Sequence, residues 1–180
     1  IPISLGIFML ADRIIFFFYG VKYSASIIAL QIVSLYLFLK FINFLFGIVL
    51  SSIDKQNKRM FGQGVTAAFY ILLNLFLIPM MGVIGTALAT LITEIFLFII
   101  YYMFVSKNWY FYNFAKILPK PLIAVTTMFL FINYTGFGLV ITILFSAIIY
   151  FVMLLSLKTL DGEDYKIMKK IFENRAGSNR

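Results

Sequence analysis

The chain has 180 residues, of which 63% are hydrophobic and 19% aromatic, while only 12% are charged. A soluble domain of this size cannot hide so much apolar surface, so the composition points to a helical membrane protein. The absence of cysteine and histidine excludes a disulfide framework, thiol chemistry, His-built zinc sites and His-based proton relays, and the net charge of +8, which sits in loops and tail, reads as a cytoplasmic membrane face and not as a nucleic-acid-binding surface.

The expected fold is all-α, a polytopic membrane bundle of about six transmembrane helices. A span needs about 20 apolar residues to cross roughly 30 Å of hydrocarbon. In chain order the runs that qualify are residues 3–19, 26–51, 61–78, 82–105, 122–134 and 139–157. The fifth is short and is expected to extend back past Pro121. Residues 1–157 thus form the transmembrane bundle and residues 158–180 a solvated cytoplasmic tail. The chain opens on Ile1-Pro2 and carries Asp12-Arg13 inside its first apolar run, without the basic start and small-residue cleavage site of a signal peptide. The expectation is a fragment of a longer protein. Between the fourth and fifth spans, Asn108–Phe114 is rich in Trp and Tyr and precedes Lys116. It reads as an interfacial anchor, because such rings settle at headgroup depth.

The connections sort by charge. The turns around residues 19–23, 79–82 and 133–138 hold a single basic residue, Lys22. The alternate connections hold Lys55, Lys58 and Arg59, then Lys107, Lys116 and Lys120, and then the tail from Lys158. Basic residues favour the cytoplasmic side. The expectation is a multi-pass protein of the cytoplasmic membrane with residue 1 and the C-terminus inside and the three sparse turns outside.

Polar residues within the spans fall on single faces. Tyr36, Lys40, Asn43 and Gly47 follow helical spacing in the second span; Gln63, Thr66, Tyr70 and Asn74 do so in the third; Thr86, Thr90 and Glu94 do so in the fourth. A shared polar interior explains three adjacent stripes, as does interhelical hydrogen bonding that only holds a bundle together. Lys40 and Glu94 favour the first explanation, because a mid-span charge needs a partner or a wet cavity. Asp12 and Arg13 are a further charged pair, read either as Arg13 snorkelling to the interface or as a cavity-facing cation with Asp12 as counter-ion. Gly82, Gly85 and Ala89 form a small-residue face for close helix approach. No phosphate-binding glycine loop, no acid/base carboxylate pair and no triad can be assembled. The chain is therefore not read as an enzyme, and no cofactor or metal is expected.

Residues 73–94, LNLFLIPMMGVIGTALATLITE, resemble a signature of the polysaccharide-biosynthesis flippases of the MATE-like (multidrug/oligosaccharidyl-lipid/polysaccharide) exporter superfamily. The likeness is carried by Asn74, Leu75, Leu77, Ile78, Pro79, Gly82, Gly85, Ala87, Ala89, Thr90 and Glu94. The step from Phe17 to Ser26 and the loop from Leu50 to Gln56 resemble the same family. Thr86 stands where that family usually has Ala. The resemblance implies the C-terminal half of a transporter built from two helical bundles around a central cavity. Its substrate would be a lipid-linked polysaccharide or oligosaccharide precursor, moved to the outer leaflet by alternating access, and its partners that substrate, the membrane lipids and the N-terminal half of the same protein. By position, Arg13, Lys40, Asn43, Tyr70 and Asn74 would line the cavity, with Lys40 and Arg13 meeting a lipid phosphate. Asp12 and Glu94 would be coupling or structural acids. Two alternatives stand beside it: a drug/cation antiporter of the same superfamily, coupled through Glu94 or Asp12, and a non-catalytic membrane subunit of cell-envelope synthesis.

Overall fold

A computed structural model of the chain describes residues 2–106 and 119–157. Those residues are all-helical, with no strand among them. The chain runs through α1 (Pro2–Met9), α2 (Ala11–Phe18), a 3-10 turn (Val21–Tyr23), α3 (Ser26–Ser52), α4 (Gln56–Ser106), α5 (Pro119–Tyr134) and α6 (Leu139–Ser156). Three of them, α3, α4 and α6, are long and apolar enough to cross a membrane. The expected interfacial segment 108–114 and the tail 158–180 lie outside the described residues.

The first expected span is divided. Leu10 leaves helical geometry (φ −97°, ψ 10°) and separates α1 from α2. Backbone bonds from Leu10 to Gly6 and from Ile14 to Leu10 bridge the junction, so it is a bend and not a loop. Leu10 is buried in the apolar core at the bend. The third and fourth expected spans are the two limbs of α4, a helical hairpin that folds back on itself at Gly82. Gly82 takes φ 56° and ψ −127°, the geometry of the first central residue of a type II′ turn, which glycine reaches without steric cost. The limbs on either side run antiparallel. Gly62 lies against Ile100 and Tyr101, Phe69 against Phe96 with ring centroids 4.8 Å apart, and Gly85 against the Leu77 carbonyl. Each limb of roughly 25 residues is long enough to cross the hydrocarbon at 1.5 Å per residue.

Sequence expectation placed Gly82 on a packing face with Gly85 and Ala89. Gly85 and Ala89 are buried, but Gly82 is exposed at the reversal. Its lack of a side chain serves the turn, not the packing. The fifth helix begins at Pro119, ahead of Pro121. Both prolines fall in the first turn, where a backbone N–H has no helical partner to lose.

Helix α3 is central to the arrangement, with the α4 hairpin on one side and α1 and α2 on the other. The α5–α6 hairpin packs against α1 and α2. One apolar core joins Leu10 to Ala124, Val125, Met128, Ile132 and Tyr150. A second joins Leu50 to Leu97 and Tyr101 at the other end of α3. Burial within the chain covers only 17% of the most apolar stretch of α3 and of α6, and 33% of that of α4. The remaining apolar surface has no polar complement, as a lipid-embedded or bundle-packed surface requires.

Candidate functional site: a polar cleft between α3 and the α4 hairpin

The polar stripes of α3 and both α4 limbs converge. Lys40 lies 14 residues into α3, roughly 21 Å from its start by helical rise. Glu94 lies near the middle of the second α4 limb. Lys40 Nζ stands 3.7 Å from Glu94 Oε2 and 5.8 Å from the centroid of the Tyr36 ring, one turn back on its own helix. Their environments differ: the Lys40 side chain is 54% exposed and that of Glu94 only 7%. The carboxylate is thus the fixed member of the pair, and the ammonium its outward-facing partner.

Asn43 completes the anchoring. Its Nδ2 donates to the Glu94 backbone carbonyl at 2.9 Å and to Glu94 Oε1 at 3.0 Å. One amide therefore holds the backbone and the side chain of the same residue across the helix interface. Both Glu94 oxygens are engaged, one by Asn43 and one by Lys40. Asn43 itself is buried, and its Oδ1 has no protein partner. It borders a small cavity of about 70 Å³ lined also by Lys40, Gly47, Arg59, Gln63 and Tyr101, roomy enough to admit water to a polar wall.

A wider cleft of about 350 Å³ opens from the same pair, lined by Tyr36, Lys40, Gln63, Thr66, Tyr70, Thr90, Thr93 and Glu94. Thr66, Thr90 and Thr93 each donate their hydroxyl to a carbonyl one turn back, on Gly62, Thr86 and Ala89. This settles the hydroxyl proton inside the helix and leaves oxygen lone pairs for the cleft.

Of the residues expected from sequence, Lys40, Tyr70 and Glu94 line this cleft, and Asn43 lines the small cavity beside it. Asn74 lines neither. Its Nδ2 donates to the Tyr70 carbonyl at 2.8 Å within its own helix. Arg13 is elsewhere as well: its Nη1 reaches the Phe137 carbonyl in the α5–α6 turn at 3.5 Å. Asp12 is exposed, and no ion pair joins it to Arg13 among the described residues. Both sit on α2, which packs on α1, α3 and α6. Neither side chain lines the cleft.

Sequence reading missed Arg59. It lies in the basic loop region and was counted only as a topology signal. The first turn of α4 carries it back over α3, where its Nη1 donates to Ser51 Oγ at 2.9 Å. A Cβ on Gly47 would come within 3.3 Å of Arg59 Nε, so glycine at 47 makes room for the guanidinium. The signal was present in the stripe: Gly47 continues the Tyr36–Lys40–Asn43 face, and a small residue on a polar face marks a site where something large approaches.

The fold and the site define a helical membrane protein with a charged cleft between its central helix and a helical hairpin. Comparison with protein-family models, with curated proteins and with solved structures finds no match.

Proposed function

We propose that the chain is part of an exporter that moves a lipid-linked saccharide precursor across the cytoplasmic membrane by alternating access. The observation that carries this reading is the outward-facing Lys40 ammonium, held by a buried Glu94 at mid-helix and opening on a cleft of hydroxyl and aromatic groups. A cation in that position suits a lipid-linked phosphate. Tyr36, Gln63, Tyr70 and the threonines suit sugar hydroxyls. The resemblance of residues 73–94 to the flippase signature supports the same reading. In it, the exposed apolar surface packs on lipid and on the second bundle of the transporter, and the 53–59 loop and the C-terminus face the cytoplasm.

The antiporter reading would make Glu94 a coupling carboxylate. Its engagement by Asn43 and Lys40 weighs against it, since a coupling acid must exchange its cation as the cavity changes sides. The test is export of the lipid-linked precursor by cells carrying Lys40→Gln in the full-length transporter. Export is expected to fall at least tenfold at normal membrane abundance, the effect of losing about 1.4 kcal/mol of charge-assisted binding. Export at the wild-type rate overturns the assignment.

A further inference from the structure

The cleft does not stop at Lys40. Gln63 lines the wide cleft, the small cavity beside Asn43 and a third cavity of about 370 Å³ at the start of α4. That third cavity is walled by Ser51, Gln56, Asn57, Arg59, Met60 and Gln63. Arg59 belongs to both the second and the third. The three are therefore successive chambers of one groove, leading from the α3–α4 loop to mid-helix. Gly47 and Lys40 are seven residues apart on α3, so the guanidinium over Gly47 and the ammonium are separated along the groove by roughly 10 Å of helical rise.

The charges along this groove do not cancel. Lys40 is compensated by Glu94. Arg59 has a neutral partner, the Ser51 hydroxyl, and no carboxylate among the described residues lies within ion-pair distance of it. The side chain is partly buried, so water screens it less than a surface arginine. Among the described residues the groove thus carries one surplus positive charge, at Arg59 and not at Lys40. An arginine offers several donors in a planar fork suited to phosphate oxygens. Ser51 and the Tyr101 hydroxyl, both neutral, occupy part of that fork, so neither cancels its charge toward a ligand.

We propose that Arg59 is the first anion-binding position of the groove, where a phosphate or phosphodiester is held at the loop end before it reaches Lys40. This deepens the exporter reading and rests on it for the identity of the cargo. The anion site itself stands on the groove and its charge. Gln63, common to all three chambers, is the amide such a group would pass.

The chain has no cysteine, so Gln63→Cys places one reporter thiol in the groove. The full chain is purified into phosphatidylcholine nanodiscs, and the thiol's rates with an anionic and a cationic methanethiosulfonate reagent are compared. A second protein, Ser52→Cys, supplies an exposed reference at the same end. The anionic reagent is expected to be favoured at Gln63→Cys relative to the reference. Adding Arg59→Gln should lower that preference by roughly tenfold, the effect of one charge in a partly solvated site. Arg59→Lys should restore most of it, which separates loss of charge from misfolding. An unchanged preference in Arg59→Gln overturns the proposal.

Protection of Gln63→Cys by inorganic pyrophosphate assigns the site to a free phosphate compound. Protection only when phosphatidylglycerol replaces phosphatidylcholine, measured against Ser52→Cys, assigns it to a lipid headgroup. Protection by neither overturns the anion site. None of these measurements involves transport. An exporter that fails to move saccharide lipids but keeps the Arg59-dependent preference refutes the exporter reading and leaves the anion site standing.

Discussion

At the scale of single residues, the Lys40–Glu94 pair is asymmetric, and the asymmetry has a measurable consequence. Removing the charge of Lys40 leaves a buried carboxylate with Asn43 as its only donor. Removing the charge of Glu94 leaves a half-exposed ammonium that water can solvate. Lys40→Gln is therefore expected to destabilise the chain more than Glu94→Gln. Solvent screening at the exposed lysine keeps the Lys40→Gln loss to about 1–3 kcal/mol. The double variant Lys40→Gln/Glu94→Gln should recover part of that loss, because no unpaired buried charge remains. Thermal unfolding in detergent reads the order of the three. A double variant less stable than Lys40→Gln alone contradicts this account. Function divides along the same line. Glu94→Gln can keep the Asn43 bonds through its amide oxygen, so transport with unaltered ion dependence is expected in the reconstituted full-length protein. Loss of transport with normal insertion would instead favour a coupling carboxylate.

At the scale of elements, the α4 hairpin depends on two glycines for different reasons. Gly82 supplies a backbone conformation with φ 56°, which costs another residue about 1–3 kcal/mol. Nothing lies within 4 Å of a Cβ placed there, so the penalty of Gly82→Ala comes from the backbone alone. Gly85 has an ordinary helical conformation, but a Cβ there would overlap the Leu77 carbonyl. Gly85→Ala must push the limbs apart near the turn, at about 1–3 kcal/mol for a forced shift in a packed contact. The variants should differ in a second measurement. Gly85→Ala moves the limbs near the Thr90 end of the cleft, so it should alter the reactivity of a cysteine at Thr90. Gly82→Ala should leave that reactivity close to its starting value if the turn re-forms. Equal effects of the two on Thr90→Cys would mean that the close approach at Gly85 is not what sets the limb spacing.

At the scale of the whole molecule, the antiparallel packing assigns the connections to two ends. The α4 reversal, the segment before α3 and the α5–α6 turn share one end, and the Arg13 contact with Phe137 ties two of them together. The α3–α4 loop lies at the other, where Arg59 meets Ser51. In the proposed reading, the lysine and arginine asymmetry orients the bundle with the Arg59 end toward the cytoplasm. Single cysteines at Lys22 and Lys58 in intact cells check this with a membrane-impermeant thiol reagent. Labelling is expected at Lys22→Cys and absent at Lys58→Cys. The reverse pattern would place the Arg59 chamber on the outer face, and the proposed direction of export would fail with it.

Much of this was legible along the chain. Apolar runs of span length, broken by Pro79 and Gly82, announced an all-helical bundle with a tight reversal, because hydrocarbon thickness and backbone hydrogen bonding leave a membrane chain few other forms. Helical spacing put Tyr36, Lys40 and Asn43 on one face and Thr90 and Glu94 on another, because side-chain direction repeats every 3.6 residues whatever the neighbours. Which faces meet is a different matter. Periodicity is local, whereas the pairing of Lys40 and Asn43 with Glu94 depends on how α3 docks into the hairpin, a contact across more than fifty residues of sequence. Arg13 and Asp12 do not reach the cleft, although the sequence left a cavity-facing Arg13 with Asp12 as counter-ion open. The same docking drew Arg59 inward from a loop whose basic residues read only as a topology signal. A bend at Leu10 was equally hidden, since the run has no proline and a lone Gly6 does not specify a break four residues on. The sequence by itself determined the class, the helices and their polar faces. The tertiary structure decided which charge is compensated and which is left over, because that depends on distance and burial between segments far apart in the chain.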